Sequence, residues 1–361
     1  EGLFRQLGIY SSGGQKYEPE DAGQVMYYRE DKKGRILEEG INEAGAMSGW
    51  LAAATSYSVH DFALIPFYIY YSMFGFQRVG DLAWAAGDSQ ARGFLLGATA
   101  GRTTLNGEGL QHQDGHSHIL AGTVPNCVSY DPTYSYELAV IIQDGLRRMY
   151  EDNEKVFYYL TLMNENYVHG AMPEGAEEGI RKGMYLLREG KPKTRKTPRV
   201  QLLGSGTILR EVEAAAELLR EDFGVAADVW SVTSFNELRR EGLRMDRDDM
   251  LNPEQERELN WVEKCLKDRA GPVIASTDYM RAFADQIRPW VNAPYSVLGT
   301  DGFGRSDSRQ KLRHFFEVDR YFVVLAALNA LRKEGKVDAA VVKQAIEKYG
   351  IDTDKPYPVM H

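Results

Sequence analysis

Short apolar runs alternate with helix-length amphipathic segments along most of this 361-residue chain, and that alternation leaves few folds open. Residues 200–203, 227–232, 273–276 and 295–298 are too short for stable helices and rich in apolar residues. Helical spacing occupies 209–223, 279–288, 322–333 and 341–349. Strands buried on both faces read as near-continuous apolar runs, and helices that return the chain between them make the sheet parallel. The first half follows the same pattern less cleanly. Ile36, Leu37, Ile41, Ala44, Met47 and Leu51 predict a helix within 36–57. Residues 63–69, 90–100, 124–130 and 156–161 suit buried strands, with Pro66 weakening the first. Residues 135–150 suit an amphipathic helix.

A Lys-, Pro- and Thr-rich stretch separates the two halves, so 191–199 is expected to be a linker between domains at 1–190 and 200–361. The expected class is α/β with two domains, each a mostly parallel sheet flanked by helices. No short internal repeat is visible. Hydrophobic residues are 43% and charged residues 26%, enough to bury a core. A net charge of -9 argues against a general nucleic-acid surface. Cys127 and Cys265 are too few for a disulfide framework or a cysteine-built zinc site, which fits a reducing cytoplasmic compartment. No stretch of about 20 apolar residues predicts a membrane span. The opening has no initiator methionine and no apolar signal core. It is what an engineered or processed piece, or one half of a larger chain, would show.

Four segments hold candidate chemistry. In Glu39-Gly40-Ile41-Asn42-Glu43-Ala44-Gly45-Ala46, Glu43 lies in an apolar setting between glycines. A carboxylate there suits proton exchange if partly desolvated, and equally suits the wet face of a helix. Residues 67–76 hold six aromatics, enough for a wall against a flat heterocycle or for plain core. Residues 106–118 carry three histidines, two acids and three glycines after Asn106. Such a loop can gather polar groups around a ligand or simply lie on the surface. Its spacing matches no zinc template, and no metal-ligating residue is assigned. The segment Gly299-Thr300-Asp301-Gly302-Phe303-Gly304-Arg305-Ser306-Asp307 lacks a nucleotide loop's Lys-Ser/Thr ending and is expected to be a rigid turn.

Taken in order, these segments closely resemble the homodimeric bacterial pyruvate dehydrogenase family that uses thiamine diphosphate. The carriers are Glu39 to Ala46, Ile65-Pro66-Phe67-Tyr68-Ile69-Tyr70-Tyr71-Ser72-Met73-Phe74-Gly75-Phe76-Gln77-Arg78 and Gly109-Leu110-Gln111-His112-Gln113-Asp114-Gly115-His116-Ser117-His118. Further matches are Pro173-Glu174-Gly175-Ala176-Glu177-Glu178-Gly179-Ile180, Leu203-Gly204-Ser205-Gly206, Ala275-Ser276-Thr277-Asp278-Tyr279 and Gly299 to Ser306. The resemblance implies a transketolase-like pyrimidine-binding domain followed by a transketolase-type C-terminal domain. It implies that Glu43 bonds a nitrogen of the cofactor's aminopyrimidine and that Phe74 stacks on that ring. Tyr71, Glu108 and His112 would surround the reactive face, His112 binding substrate or moving a proton, with Arg78 supporting the pocket. The implied reaction is decarboxylation of pyruvate and reductive acetylation of a lipoyl group on a dihydrolipoyl acetyltransferase, by a homodimer. The family's Gly-Asp-Gly…Asn motif for Mg2+ and diphosphate is not matched, because Gly87-Asp88-Ser89 and Thr300-Asp301-Gly302 lack the downstream Asn. The Mg2+ ligands are therefore expected in an N-terminal domain outside this sequence, and the chain alone is expected to be inactive. Another transketolase-like thiamine enzyme, or a non-catalytic half, are the alternatives.

Overall fold

The computed structural model describes residues 6–20, 22 and 28–360; Gly2 to Arg5 of the opening lie outside them. A small lead-in comes first, with β1 (Ile9–Tyr10) paired in parallel to β2 (Glu30–Asp31). The helix expected within 36–57 is shorter: α1 spans Glu43–Ala54. Gly40 turns with a φ of 64°, and the Asn42 side chain accepts from the Gly45 N–H at 3.0 Å. A side-chain cap satisfies a donor the helix cannot, so the cap sets the start whatever apolar residues precede it.

The first sheet then builds up through α2 (Ser56–Val59), β3 (Phe67–Tyr70), α3 (Gly75–Asp88), β4 (Phe94–Ala98), α4 (Ser117–Ala121), β5 (Cys127–Tyr130), α5 (Ser135–Leu146), β6 (Phe157–Leu162) and α6 (Ala176–Lys182). Its strand order is β3-β4-β6-β5, and every pairing is parallel. Burial on both faces is visible within β6. Phe157 and Tyr159 pack with Trp50 and Phe76 on one side, and Tyr158 and Leu160 with Ile141 and Ile180 on the other. Proline has no N–H for the ladder, and β3 begins just after Pro66 rather than at 63. The helix expected at 135–150 stays α-helical to Leu146 and closes with a π turn over Arg147–Glu151.

The second sheet comprises β7 (Met184–Arg188), β8 (Arg199–Gly204), β9 (Ala226–Val232), β10 (Val273–Ser276) and β11 (Tyr295–Leu298), in the order β11-β10-β8-β9-β7. Only β7 is antiparallel. Residues 191–199 therefore run within this sheet, from β7 to the start of β8, and the change of sheet falls between α6 and β7. On one face, Val200 and Leu202 pack against α7 (Ile208–Phe223), α12 (Arg320–Lys333) and α13 (Ala339–Tyr349). On the other, Leu203 and Trp230 meet α8 (Phe235–Leu251), α9 (Trp261–Leu266) and α10 (Arg281–Asp285). The helix expected over 279–288 is only α10 with a 3-10 turn at Arg288–Trp290, because the backbone before it is bonded elsewhere: Met280 N–H donates to Gly115 O at 2.8 Å. The remaining helix, α11 (Arg309–Phe315), precedes α12. Among the described residues no helix is long and apolar enough to cross a membrane.

The carboxyl ends of the two sheets meet in a buried polar seam. Asp131, just after β5, donates its N–H to Thr233 O and accepts at its own carbonyl from Gly206 N–H. Thr161 donates its hydroxyl to Asp131 Oδ1 at 2.7 Å, so His118 Nε2, 2.9 Å away, carries the proton toward Thr161. Burial pulls His118 down to about 4, against an opposing pull from Asp114, and pushes Asp131 up to about 7. For His118 the unfolded chain binds more protons between roughly pH 4 and 6.5, so its contribution weakens the fold as pH drops through that window. Asp131 acts in the opposite sense, holding its proton in the fold up to about pH 7. His118→Gln should remove the first effect. Its unfolding free energy should fall by roughly 2–3 kcal/mol less than the parent's between pH 7 and 4.5, as read from urea titrations; parallel pH slopes would refute it.

Candidate active site

At the carboxyl edge of the first sheet, six sequence-selected residues form one continuous chain of contacts. Glu43 opens α1 and its carboxylate takes an ion pair from Arg78 on α3, Oε1 to Nη1 2.6 Å. The Glu43 side chain is 21% exposed and that of Arg78 is 50% exposed, so the carboxylate is sheltered and its partner is not. The Arg78 guanidinium lies 4.0 Å over the Phe74 ring. Phe74 meets Tyr71 edge-on at 6.0 Å and His112 edge-on at 5.2 Å, while Tyr71 and His112 stack at 5.1 Å with planes 10° apart. His112 Nδ1 lies 3.0 Å from Glu108 Oε2, off the line of a hydrogen bond. Beside Glu43, burial and then the Glu43 and Glu39 carboxylates push the Tyr68 hydroxyl up to about 12, which keeps it protonated at neutral pH.

The local sequence explains this placement. Tyr71 follows β3 directly, and Phe74 caps the start of α3, whose first residue, Gly75, leaves room for the Tyr70 ring. The loop after β4 carries Glu108 and a 3-10 turn, Leu110–His112, bringing His112 back over Tyr71. The other two histidines of that loop go elsewhere. His116 Nε2 lies 2.8 Å from Gln77 Oε1, and His118 is fully buried between Phe283 and Tyr279. Among the described residues no group of three or more His, Cys, Asp or Glu side chains is arranged to hold a metal. Pattern reading gave no role to the seam itself, where Asp114, Asp131 and Asp278 are fully buried. A polar residue after a strand carries no sign of burial; only the apolar strands around it do.

Comparison with known proteins finds relatives along nearly the whole chain. Residues 1–170 match the family model of the pyruvate dehydrogenase E1 component middle domain, and 183–319 that of the transketolase-like C-terminal domain. The chain is 69% identical to the pyruvate dehydrogenase E1 component of Pseudomonas aeruginosa over 360 residues, 99% of this chain and 41% of that protein. It is 62% identical to that of Escherichia coli K12, over 99% of this chain and 40% of the relative. By these matches the chain carries a pyruvate dehydrogenase E1 component middle domain and a transketolase-like C-terminal domain. It spans about 40% of the length of those relatives. Among solved structures, transketolase from Leishmania mexicana superposes with a TM-score of 0.62 at 18% identity, over 84% of this chain and 38% of that one. A chain titled split gene transketolase, inactive beta4 tetramer, gives 0.58 at 14% identity, over 91% and 94%. At those identities the structures share the fold: two α/β domains with sheets flanked by helices.

The Glu43–Arg78 pair is half open to water, where such pairs contribute about 0–1 kcal/mol. Arg78→Met should therefore change the unfolding free energy by less than about 1 kcal/mol. A larger loss in thermal or urea unfolding would mean that the pair holds the fold together.

Proposed function

We propose that this chain supplies the pyrimidine-holding and substrate-facing part of an enzyme that decarboxylates pyruvate with thiamine diphosphate and reductively acetylates a lipoyl group in the pyruvate dehydrogenase complex. One observation carries the reading: Glu43, the 71–78 stretch with Tyr71, Phe74 and Arg78, and the 108–112 stretch with Glu108 and His112 are three separate pieces of sequence, yet their side chains are linked contact to contact. The residues fit the cofactor. Glu43 offers a sheltered carboxylate to a ring nitrogen, and Phe74 an aromatic face. Arg78 now covers that face, but it is half exposed. Its surface ion pair and cation–π contact are each worth about 1 kcal/mol or less, comparable with the roughly 0.5–1.5 kcal/mol of a ring stack. It can swing aside at little cost.

When bound, thiamine diphosphate supplies the carbanion chemistry by which a 2-oxo acid loses CO2. In this reading Glu43 holds a proton at the pyrimidine nitrogen, and Phe74 and Tyr71 orient the ring and shed water from it. His112, set by the Tyr71 stack with the Glu108 carboxylate beside it, binds pyruvate or moves a proton near it. Mg2+ and the diphosphate would be held by an N-terminal domain outside this sequence, and the acceptor lipoyl by a dihydrolipoyl acetyltransferase partner. A cytoplasmic homodimer is part of the proposal. Its support is β3, an edge strand whose Phe67 and Ile69 are 46% and 59% exposed, continuing to Tyr71. Exposed apolar edges call for a cover.

A second reading, that this stretch is non-catalytic by itself, draws on the unmatched Gly-Asp-Gly…Asn motif for Mg2+ and diphosphate. Calorimetric titration of the chain with thiamine diphosphate and Mg2+, with and without the diphosphate-binding domain, separates the two. In the full-length enzyme, Glu43→Ala should fold normally and lose turnover by at least about a hundredfold, the scale of a lost acid–base group. Near-normal turnover would sink the assignment. Phe74→Ala should weaken cofactor binding roughly 2–13-fold, the equivalent of a lost ring stack; unchanged affinity counts against it. Turnover of sugar phosphates in preference to pyruvate would point to another thiamine enzyme of this fold.

A further inference from the structure

The loop that presents Glu108 and His112 is fastened to the second domain at several points along its length. At its start, Asp278 Oδ1 accepts from the Thr103 N–H at 2.8 Å and from the Thr103 hydroxyl at 2.6 Å, and Oδ2 from the Thr104 hydroxyl at 2.7 Å. The Thr104 hydroxyl also meets that of Thr207, 2.6 Å away. At the far end, the Met280 N–H donates to Gly115 O, and the Arg305 N–H to Gln113 Oε1 at 2.7 Å. In between, the Gly107 N–H donates to Asp307 O, and Arg309 Nε to Thr104 O at 2.7 Å. Among the described residues, 108–112 make no hydrogen bond to the second domain.

Asp278 is the part of this fastening with the least freedom. It is fully buried and both its oxygens are used. Gly101 turns past it at a φ of 87°, and a Cβ there would collide with the carboxylate. Arg313, itself paired with Glu165, reaches the Thr103 hydroxyl from behind at 3.4 Å. Three donors converging on one buried acceptor define a single loop conformation, since leaving any of them unpaired is costly.

We propose that Asp278 is a positioning residue, setting from the second domain where the loop places Glu108 and His112 over bound substrate. The inference rests on the reading of His112 and Glu108 given above. It separates the loop's aim from cofactor binding, because Glu43, Phe74 and Arg78 lie on α1 and at the start of α3.

The test uses full-length enzyme with thiamine diphosphate and Mg2+. Asp278→Ala should lower kcat roughly 10–100-fold, the scale expected when a reacting group is misplaced by about 1 Å. Cofactor affinity should change less than about twofold, because Glu43, Phe74 and Arg78 are held by α1 and the start of α3 rather than by the loop. Asp278→Asn, which keeps an acceptor for Thr103, should recover most of the loss. On a His112→Ala background, Asp278→Ala should cost less than about twofold further, because residues acting as one unit are non-additive. Thr104→Val is the milder variant should Asp278→Ala fold poorly, and it should show the same non-additivity. Full kcat in Asp278→Ala, the same loss with and without His112, or a kcat loss that follows cofactor affinity would each overturn the proposal. If His112→Ala keeps full turnover, the reading of the site falls and takes this inference with it. If His112→Ala is impaired while the Asp278 and Thr104 variants are not, only this inference falls.

Discussion

Two mostly parallel sheets meet carboxyl end to carboxyl end, and everything polar at that junction has to find a partner away from water. Strand ends in such sheets leave backbone groups and short polar side chains pointing out of the ladder. Here they point at one another, through Asp131, Thr161, Thr233 and Gly206 on one side and Thr103, Thr104, Thr207 and Asp278 on the other. An unpaired buried group costs about 1–3 kcal/mol, so a seam of this size tolerates few alternative packings. The seam thus sets the relation between the domains, and with it the position of the loops that leave the first sheet.

The aromatic nook at the sheet's edge obeys a looser rule. Its contacts are one ring stack, two edge contacts, one cation over a ring and one half-exposed ion pair. Each is worth about 1 kcal/mol, and water competes for most of them. Stiffness therefore comes from the seam below and exchangeability from the nook above. Under the proposed function, a site that admits a flat ring and then a small acid needs both.

Much of the second domain was legible because its strands are buried on both faces. The runs at 273–276 and 295–298 coincide with β10 and β11, and 227–232 lies one residue inside β9. By contrast, α3 is masked by the aromatic run that leads straight into it, although its buried Phe76, Val79, Ala83 and Ala86 recur at helical spacing. β7 was hidden for another reason: an antiparallel edge strand is defined by its neighbour β9, more than 40 residues on. At the site, each candidate residue had an ordinary alternative as helix surface, core or loop. Resemblance, not spacing, lifted Glu43, Tyr71, Phe74, Arg78, Glu108 and His112 above those alternatives. Their contacts span intervals such as 43 to 78 and 74 to 112, which no local pattern records.

Tyr71 belongs to two structures at once. It continues the bare apolar rim formed by Phe67 and Ile69, and it is the ring on which His112 rests. Anything that seals that rim also dries the imidazole's surroundings, and charges in a drier setting act on each other more strongly. Solvent access to the histidine and coverage of the rim are thus a single variable, so crowding at one edge of the molecule retunes electrostatics inside its pocket.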